Sequence, residues 1–179
     1  ELGGISENDL FKLLSLNTGE IFNRQSVVND IQTITDLYAD QGFAFVDIRP
    51  ITNDFLDTVN IDISISLNKK VYINRISISG NTRTLDEVIR REIGISEGGL
   101  YSRSLLRNSV VKLRRLGYFS DVKMNASEIE GSQDRLNIEI EVTETKTGSL
   151  SFSVSHSNNY GVSVGAGIRE KNIFGSGNT

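Results

Sequence analysis

Residues 19–37 and 98–116 share one skeleton. Gly19 matches Gly98, Ile21 Leu100, Phe22 Tyr101, Arg24 Arg103, Val27 Leu106 and Ile31 Val110. The offset is 79 residues over this stretch and 75 afterwards, where Gly42-Phe43 matches Gly117-Tyr118. The difference of four is about one helical turn, so an apolar helix face stays in phase across it. Self-similarity on this scale marks a supersecondary unit used twice. It overrides the soft prior that a chain of this length is one domain.

The elements follow from periodicity. Ser6 to about Leu16 reads as a helix, with Asp9 three residues after a Ser6 cap. Arg24 to Gln41 reads as a second helix, with Val27, Ile31, Ile34 and Tyr38 on one stripe and Gly42 ending it. Ala44–Ile51 and Thr58–Leu67 read as a hairpin. In the latter, Val59, Ile61, Ile63, Ile65 and Leu67 alternate with polar residues. Val71–Ser79 reads as a strand. Leu85–Ile93 reads as a helix capped by Thr84, and Ser102–Leu116 as a helix ended by Gly117. Strands near Phe119–Asn125 and Arg135–Glu144 close the second unit. That unit is β-α-α-β-β, and the first is the same unit without its opening strand. The fold class is therefore α+β.

From residue 148 the texture changes. Leu150, Phe152 and Val154 alternate with serines, and after a polar turn at Asn158-Asn159, Val162, Val164, Ala166 and Ile168 alternate with Ser163, Gly165 and Gly167. Two strands of about ten residues, apolar on one face and small-polar on the other, fit either membrane-barrel strands or an ordinary water-soluble hairpin. As barrel strands without their barrel partners, they are expected to be poorly anchored, paired with a neighbouring chain or rearranged. The chain opens without Met and stops on Gly-Ser-Gly-Asn-Thr, so it reads as a piece of a longer one.

Composition narrows the chemistry. The chain has no Cys and one His. That excludes a disulfide framework, a thiolate zinc site, a Cys nucleophile and a multi-His metal site. Gly165-Ala166-Gly167 lacks the third glycine of a dinucleotide loop, and His156 has no Ser–His–acid pattern around it. No cofactor or enzymatic activity is expected. The net charge of −4 is uneven: residues 1–69 carry −7, residues 70–147 carry +2 and residues 148–179 carry +1. A nucleic-acid surface would need a large positive patch, so none is expected.

Three stretches carry a family resemblance. They are Ile76-Ser-Ile-Ser-Gly-Asn-Thr-Arg-Thr84 with Val88-Ile-Arg-Arg-Glu92, then Arg114-Arg-Leu-Gly-Tyr-Phe119 with Glu139-Ile-Glu-Val-Thr-Glu144, and the closing Thr147-Gly-Ser-Leu-Ser-Phe152 with Lys171-Asn-Ile-Phe-Gly-Ser-Gly-Asn178. In this order they resemble the polypeptide-transport-associated (POTRA) modules of outer-membrane β-barrel assembly factors, at the point where the last module meets the barrel. The resemblance implies a truncated POTRA module at 1–69, a barrel-proximal one at 70–147 and the first strands of an outer-membrane barrel at 148–179. It implies periplasmic modules on a cell-outer-membrane protein. Such a protein scaffolds accessory lipoproteins and guides unfolded outer-membrane proteins into the membrane without nucleotide hydrolysis. The alternatives are a related translocation or autotransporter-assembly protein, or a soluble enzyme of two α/β repeats.

Candidate sites follow from that resemblance. The strand after the second helix of each unit lies at a sheet edge, where an extended client can pair with free backbone groups. This points to Phe45, Val46, Asp47, Ile48 and Arg49, and to Ser120, Asp121, Val122, Lys123 and Met124, with Pro50 removing one donor from the first edge. Arg90, Arg91 and Glu92 form a candidate docking patch for an accessory lipoprotein. Arg103, Arg107, Lys112, Arg114 and Arg115 make the next helix basic, facing solvent, lipid head groups or an acidic partner.

Overall fold

A computed structural model describes residues 3–157 and 161–177. The Asn158-Asn159 turn and the terminal Asn178 lie outside these. Helix α1 (Glu7–Leu13) is capped by Ser6, whose Oγ accepts the Asp9 amide and donates to its carboxylate. It is shorter than the apolar pattern predicts, because Leu14 is already extended. Helix α2 (Arg24–Asp40) starts on an Asn23 cap and buries Val27, Ile34 and Tyr38. Strands β1 (Asp47–Phe55) and β2 (Thr58–Ser66) form a two-stranded antiparallel hairpin.

The second repeat supplies β3 (Tyr72–Ser79), α3 (Asp86–Glu92), α4 (Arg103–Arg115), β4 (Phe119–Ile129) and β5 (Ser132–Glu144), with sheet order β3-β5-β4. Strands β6 (Gly148–Ser157) and β7 (Gly161–Glu170) form a third, two-stranded sheet. No helix among the described residues is long and apolar enough to cross a membrane.

Compact packing groups residues 1–76, 95–107 and 126–138 into one unit, and 77–94, 108–125 and 139–179 into another. In the first, Ile5, Ile34, Tyr38 and Phe43 form a core against which Ile48, Ile63 and Ile65 pack. A second cluster joins Ala39 to Val71, Tyr101 and Leu136. In the second unit, Val88, Ile89, Leu113, Val122, Ile140 and Val142 are buried.

Two local expectations need correction. The first hairpin strand starts at Asp47, three residues later than the pattern suggests, because Ala44 and Phe45 turn and Val46 packs into the core. It then runs on to Phe55, so the exposed turn lies at Leu56-Asp57. Thr84 does not cap α3. The N-cap is Leu85, with no side-chain bond, while Thr84 is buried and its amide and hydroxyl are engaged elsewhere.

Candidate interaction site

The two candidate edges differ. On the first, Asp47, Ile48 and Arg49 lie on β1, paired to Ser66, Ile65 and Ser64. Phe45 and Val46 precede the strand, and the Phe45 carbonyl accepts the Asn68 side chain, so these two are not edge positions. Asp47 and Arg49 form an exposed ion pair at 2.6 Å. On the second, all five residues from Ser120 to Met124 lie on β4, the outer strand of its sheet. Ser120 and Lys123 are exposed there, and Val122 is buried.

The docking candidates share one short helix. Arg90 pairs with Asp86 at 3.0 Å one turn earlier, and Arg91 with Glu92 at 3.5 Å. Both arginines are exposed and Glu92 is half-buried. The approach to this helix is set from below by a residue the sequence did not single out. Glu144, at the end of β5, accepts the Thr82 hydroxyl at 2.8 Å and the Arg83 and Thr84 amides at 3.0 and 2.7 Å. Burial pushes its carboxyl up. The bonds from Thr84, Thr82 and Arg83 outweigh that and hold it below the ordinary glutamate range.

The basic helix α4 is partly spoken for within the chain. Arg103 and Arg107 both reach Asp36 of α2, at 3.2 and 3.4 Å. Asp40 accepts the Ser102 hydroxyl and the Ser104 amide, each at 2.8 Å. Burial raises its pKa, but the Ser104 and Ser102 hydrogen bonds and the Arg103 charge lower it further. Arg114 pairs with Asp121. Lys112 and Arg115 are exposed.

The tail hairpin carries the plainest surface. Its register sets Leu150 opposite Ile168, Phe152 opposite Ala166 and Val154 opposite Val164, with Ser149, Ser151, Ser153 and Ser155 on the other face. The apolar side chains are open: Phe152 is 73% exposed and Ile168 85%. His156 stands opposite Val162 in this ladder, and Gly165 and Gly167 lie opposite Ser153 and Ser151, whose hydroxyls would have to turn aside for a β-carbon at either glycine.

Contrary to the expectation of a loose end, the segment after β7 is tied down. The Gly175 carbonyl accepts the Leu85 amide at 3.0 Å, Asn172 donates to Thr84 Oγ1 at 2.9 Å, and Tyr118 donates to the Gly177 carbonyl at 3.0 Å. Thr147 donates to Glu170 beside it. An open cavity of about 350 Å³ lies there, lined by Arg83, Tyr118, Glu144, Glu170, Asn172 and Phe174 among others. No group of His, Asp or Glu among the described residues is arranged to hold a metal ion.

Two β-α-α-β-β units, the first without its opening strand, and a barrel-like hairpin define a class. The sequence pattern of the POTRA family (surface antigen variable number repeat) matches residues 3–67 and 71–145, and the chain belongs to that family. Within it, the chain is similar to outer membrane protein assembly factor BamA of Neisseria meningitidis, with 32% identity over 97% of this chain and 22% of the relative. It is 33% identical to the protein of that name from Nitratidesulfovibrio vulgaris, over 96% of this chain and 22% of the relative. Its fold matches the crystal structure of Haemophilus ducreyi BamA lacking POTRA domains 1–3, with a TM-score of 0.83 and 26% identity over 95% of this chain and 32% of that one. The chain thus spans about a fifth of the length of these sequence relatives.

Proposed function

We propose that the chain is the barrel-proximal periplasmic region of an outer-membrane protein assembly factor. Its POTRA modules cover about 1–69 and 70–147, and the first barrel hairpin lies at 148–179. The observation that carries this reading is the hairpin register. Directly after the second module, two paired strands present one exposed apolar face and one serine-glycine face. That division suits lipid on one side and a polar lumen on the other.

The modules work without catalysis. The free edge of β4 offers backbone N–H and C=O groups to extended, unfolded outer-membrane proteins, a pairing blind to side-chain identity. Asp47–Arg49 of β1 offer a shorter edge of the same kind. The Arg90-Arg91-Glu92 face docks an accessory lipoprotein. The Arg90–Asp86 pair there is exposed and the Arg91–Glu92 pair is half-exposed at 3.5 Å; pairs of this kind are worth little by themselves, so a partner can exchange them at small cost.

Depleting the full-length protein tests the whole reading: folded barrels should disappear from the outer membrane while unfolded ones accumulate in the periplasm. Unchanged barrel levels would refute it. Crosslinking from a probe at exposed Glu87, on the same helix, tests the docking face. An adduct with a co-expressed lipoprotein, lost in Glu92→Lys, supports it, whereas no adduct and normal assembly in Glu92→Lys removes it.

A further inference from the structure

We infer that the pairing edge of β4 is held closed at Val122 by a side-chain clasp, so that Arg114 and Asp121 regulate strand addition there. The inference rests on the strand-pairing role proposed above and concerns its control.

Phe119 and Val122 are both buried, at 6% and 1% exposure. They are three residues apart, whereas side chains on one face of a strand recur every two. Tyr118, in phase with Val122, is buried as well, so the start of this strand is covered on both faces. The Ser120 hydroxyl donates to the Thr143 carbonyl of β5 at 3.1 Å, on the inner side of the strand.

Both polar backbone groups of Val122 are bonded to side chains. Its N–H donates to Asp121 Oδ1 at 2.9 Å, and its carbonyl accepts from Arg114 Nη2 at 3.2 Å. The same Nη2 lies 3.2 Å from the same Oδ1, which closes a ring around the Val122 main chain.

An arriving strand needs that N–H and that carbonyl. It must displace Asp121 from one and Arg114 from the other before it can pair across Val122. The two side chains are 58% and 45% exposed, so water and salt screen their attraction and the clasp opens readily. A closed but weak clasp protects the edge from indiscriminate pairing. It yields to a segment that brings a continuous row of backbone groups. The partner it fits is an extended chain of alternating apolar and small polar residues, the pattern of β6 and β7 themselves.

The absence of cysteine makes a clean test possible. In the 179-residue chain, Lys123→Cys places a single thiol on the exposed side of β4. A ten-residue peptide of alternating Val and Ser, its one central Cys carried as a mixed disulfide with thionitrobenzoate, is the probe: the introduced thiolate attacks the peptide sulfur, thionitrobenzoate leaves, and its release rate is the readout. Removing the clasp with Arg114→Ala, or with Asp121→Ala if the first variant folds poorly, should raise the rate on the order of threefold, as expected for a screened ion pair. High salt should raise the rate in the parent and leave the Arg114→Ala rate unchanged. Equal rates with and without the clasp would overturn this inference while leaving strand pairing intact. Rates at Lys123→Cys no higher than at Lys112→Cys on α4, in every background, would overturn strand pairing and the clasp together.

Discussion

Asp40, the last residue of α2, accepts the main-chain amide of Ser104, in the first turn of α4, at 2.8 Å. The carboxylate serves as an N-terminal cap supplied from another helix. It also takes the hydroxyl of Ser102, whose own oxygen accepts the Leu105 amide. Three of the bonds that start α4 thus run through one carboxylate–hydroxyl pair.

Replacing Asp40 by Ala should lower stability by about 1–2 kcal/mol, the usual cost of a lost cap and an unsatisfied amide. The pH dependence has a definite sign. Because the folded-state pKa lies below the unfolded one, the stabilisation is complete above the ordinary aspartate range and is lost as pH falls through the folded pKa. Asp40→Asn keeps an acceptor oxygen and loses this titration. Urea unfolding of parent and variant at neutral and at strongly acid pH should show their difference shrinking in acid.

Gly175 ties the post-hairpin segment to the loop before α3, at φ 73°, a left-handed conformation. A β-carbon there would land on the Arg83 carbonyl oxygen. Gly175→Ala should cost about 1–3 kcal/mol locally, as strained backbone positions do. It should release the Leu85 amide, which donates to Gly175. Hydrogen exchange should speed at Leu85 while amides buried within α4 keep their protection.

The two faces of the hairpin should tolerate charge unequally. In the full-length protein, Phe152→Arg should impair membrane insertion, at a cost of up to about 2–4 kcal/mol for an arginine on the lipid face at mid-bilayer. Ser153→Arg, on the opposite face, should insert at close to the parent level. Heat-modifiable gel mobility of the two variants reads the difference.

The repeat made the α+β fold and its elements legible, because periods of 3.6 and 2 survive in single stretches. What it could not reveal was which polar groups the packing would use. Asp30 and Ser109 occupy matching repeat positions, and both are buried. Asp30 accepts the Ser15 amide at 2.9 Å and Ser109 the Gly94 amide at 2.9 Å, again matching positions. The task recurs while the residue type changes, so the identity-based skeleton passes over it.

The basic run on α4 was legible as charge, but its partners Asp36 and Asp121 lie 67 and 7 residues away from Arg103 and Arg114, and only the fold brings them together. The edge at Ser120–Met124 was placed by resemblance and falls on an outer strand. Phe45 and Val46, expected on the other edge, precede β1, because the core claims Val46 before the strand begins.

The central claim is that unfolded barrel proteins pair with the outer edge of β4. Photocrosslinking from Lys123 in the full-length protein, in cells synthesising outer-membrane proteins, measures it most directly. Adducts with newly made barrel proteins at Lys123, few or none from Lys112 on exposed α4, and more at Lys123 when Arg114 is Ala are the predicted result. Equal adducts at both positions, or none at Lys123 while assembly proceeds normally, would contradict it.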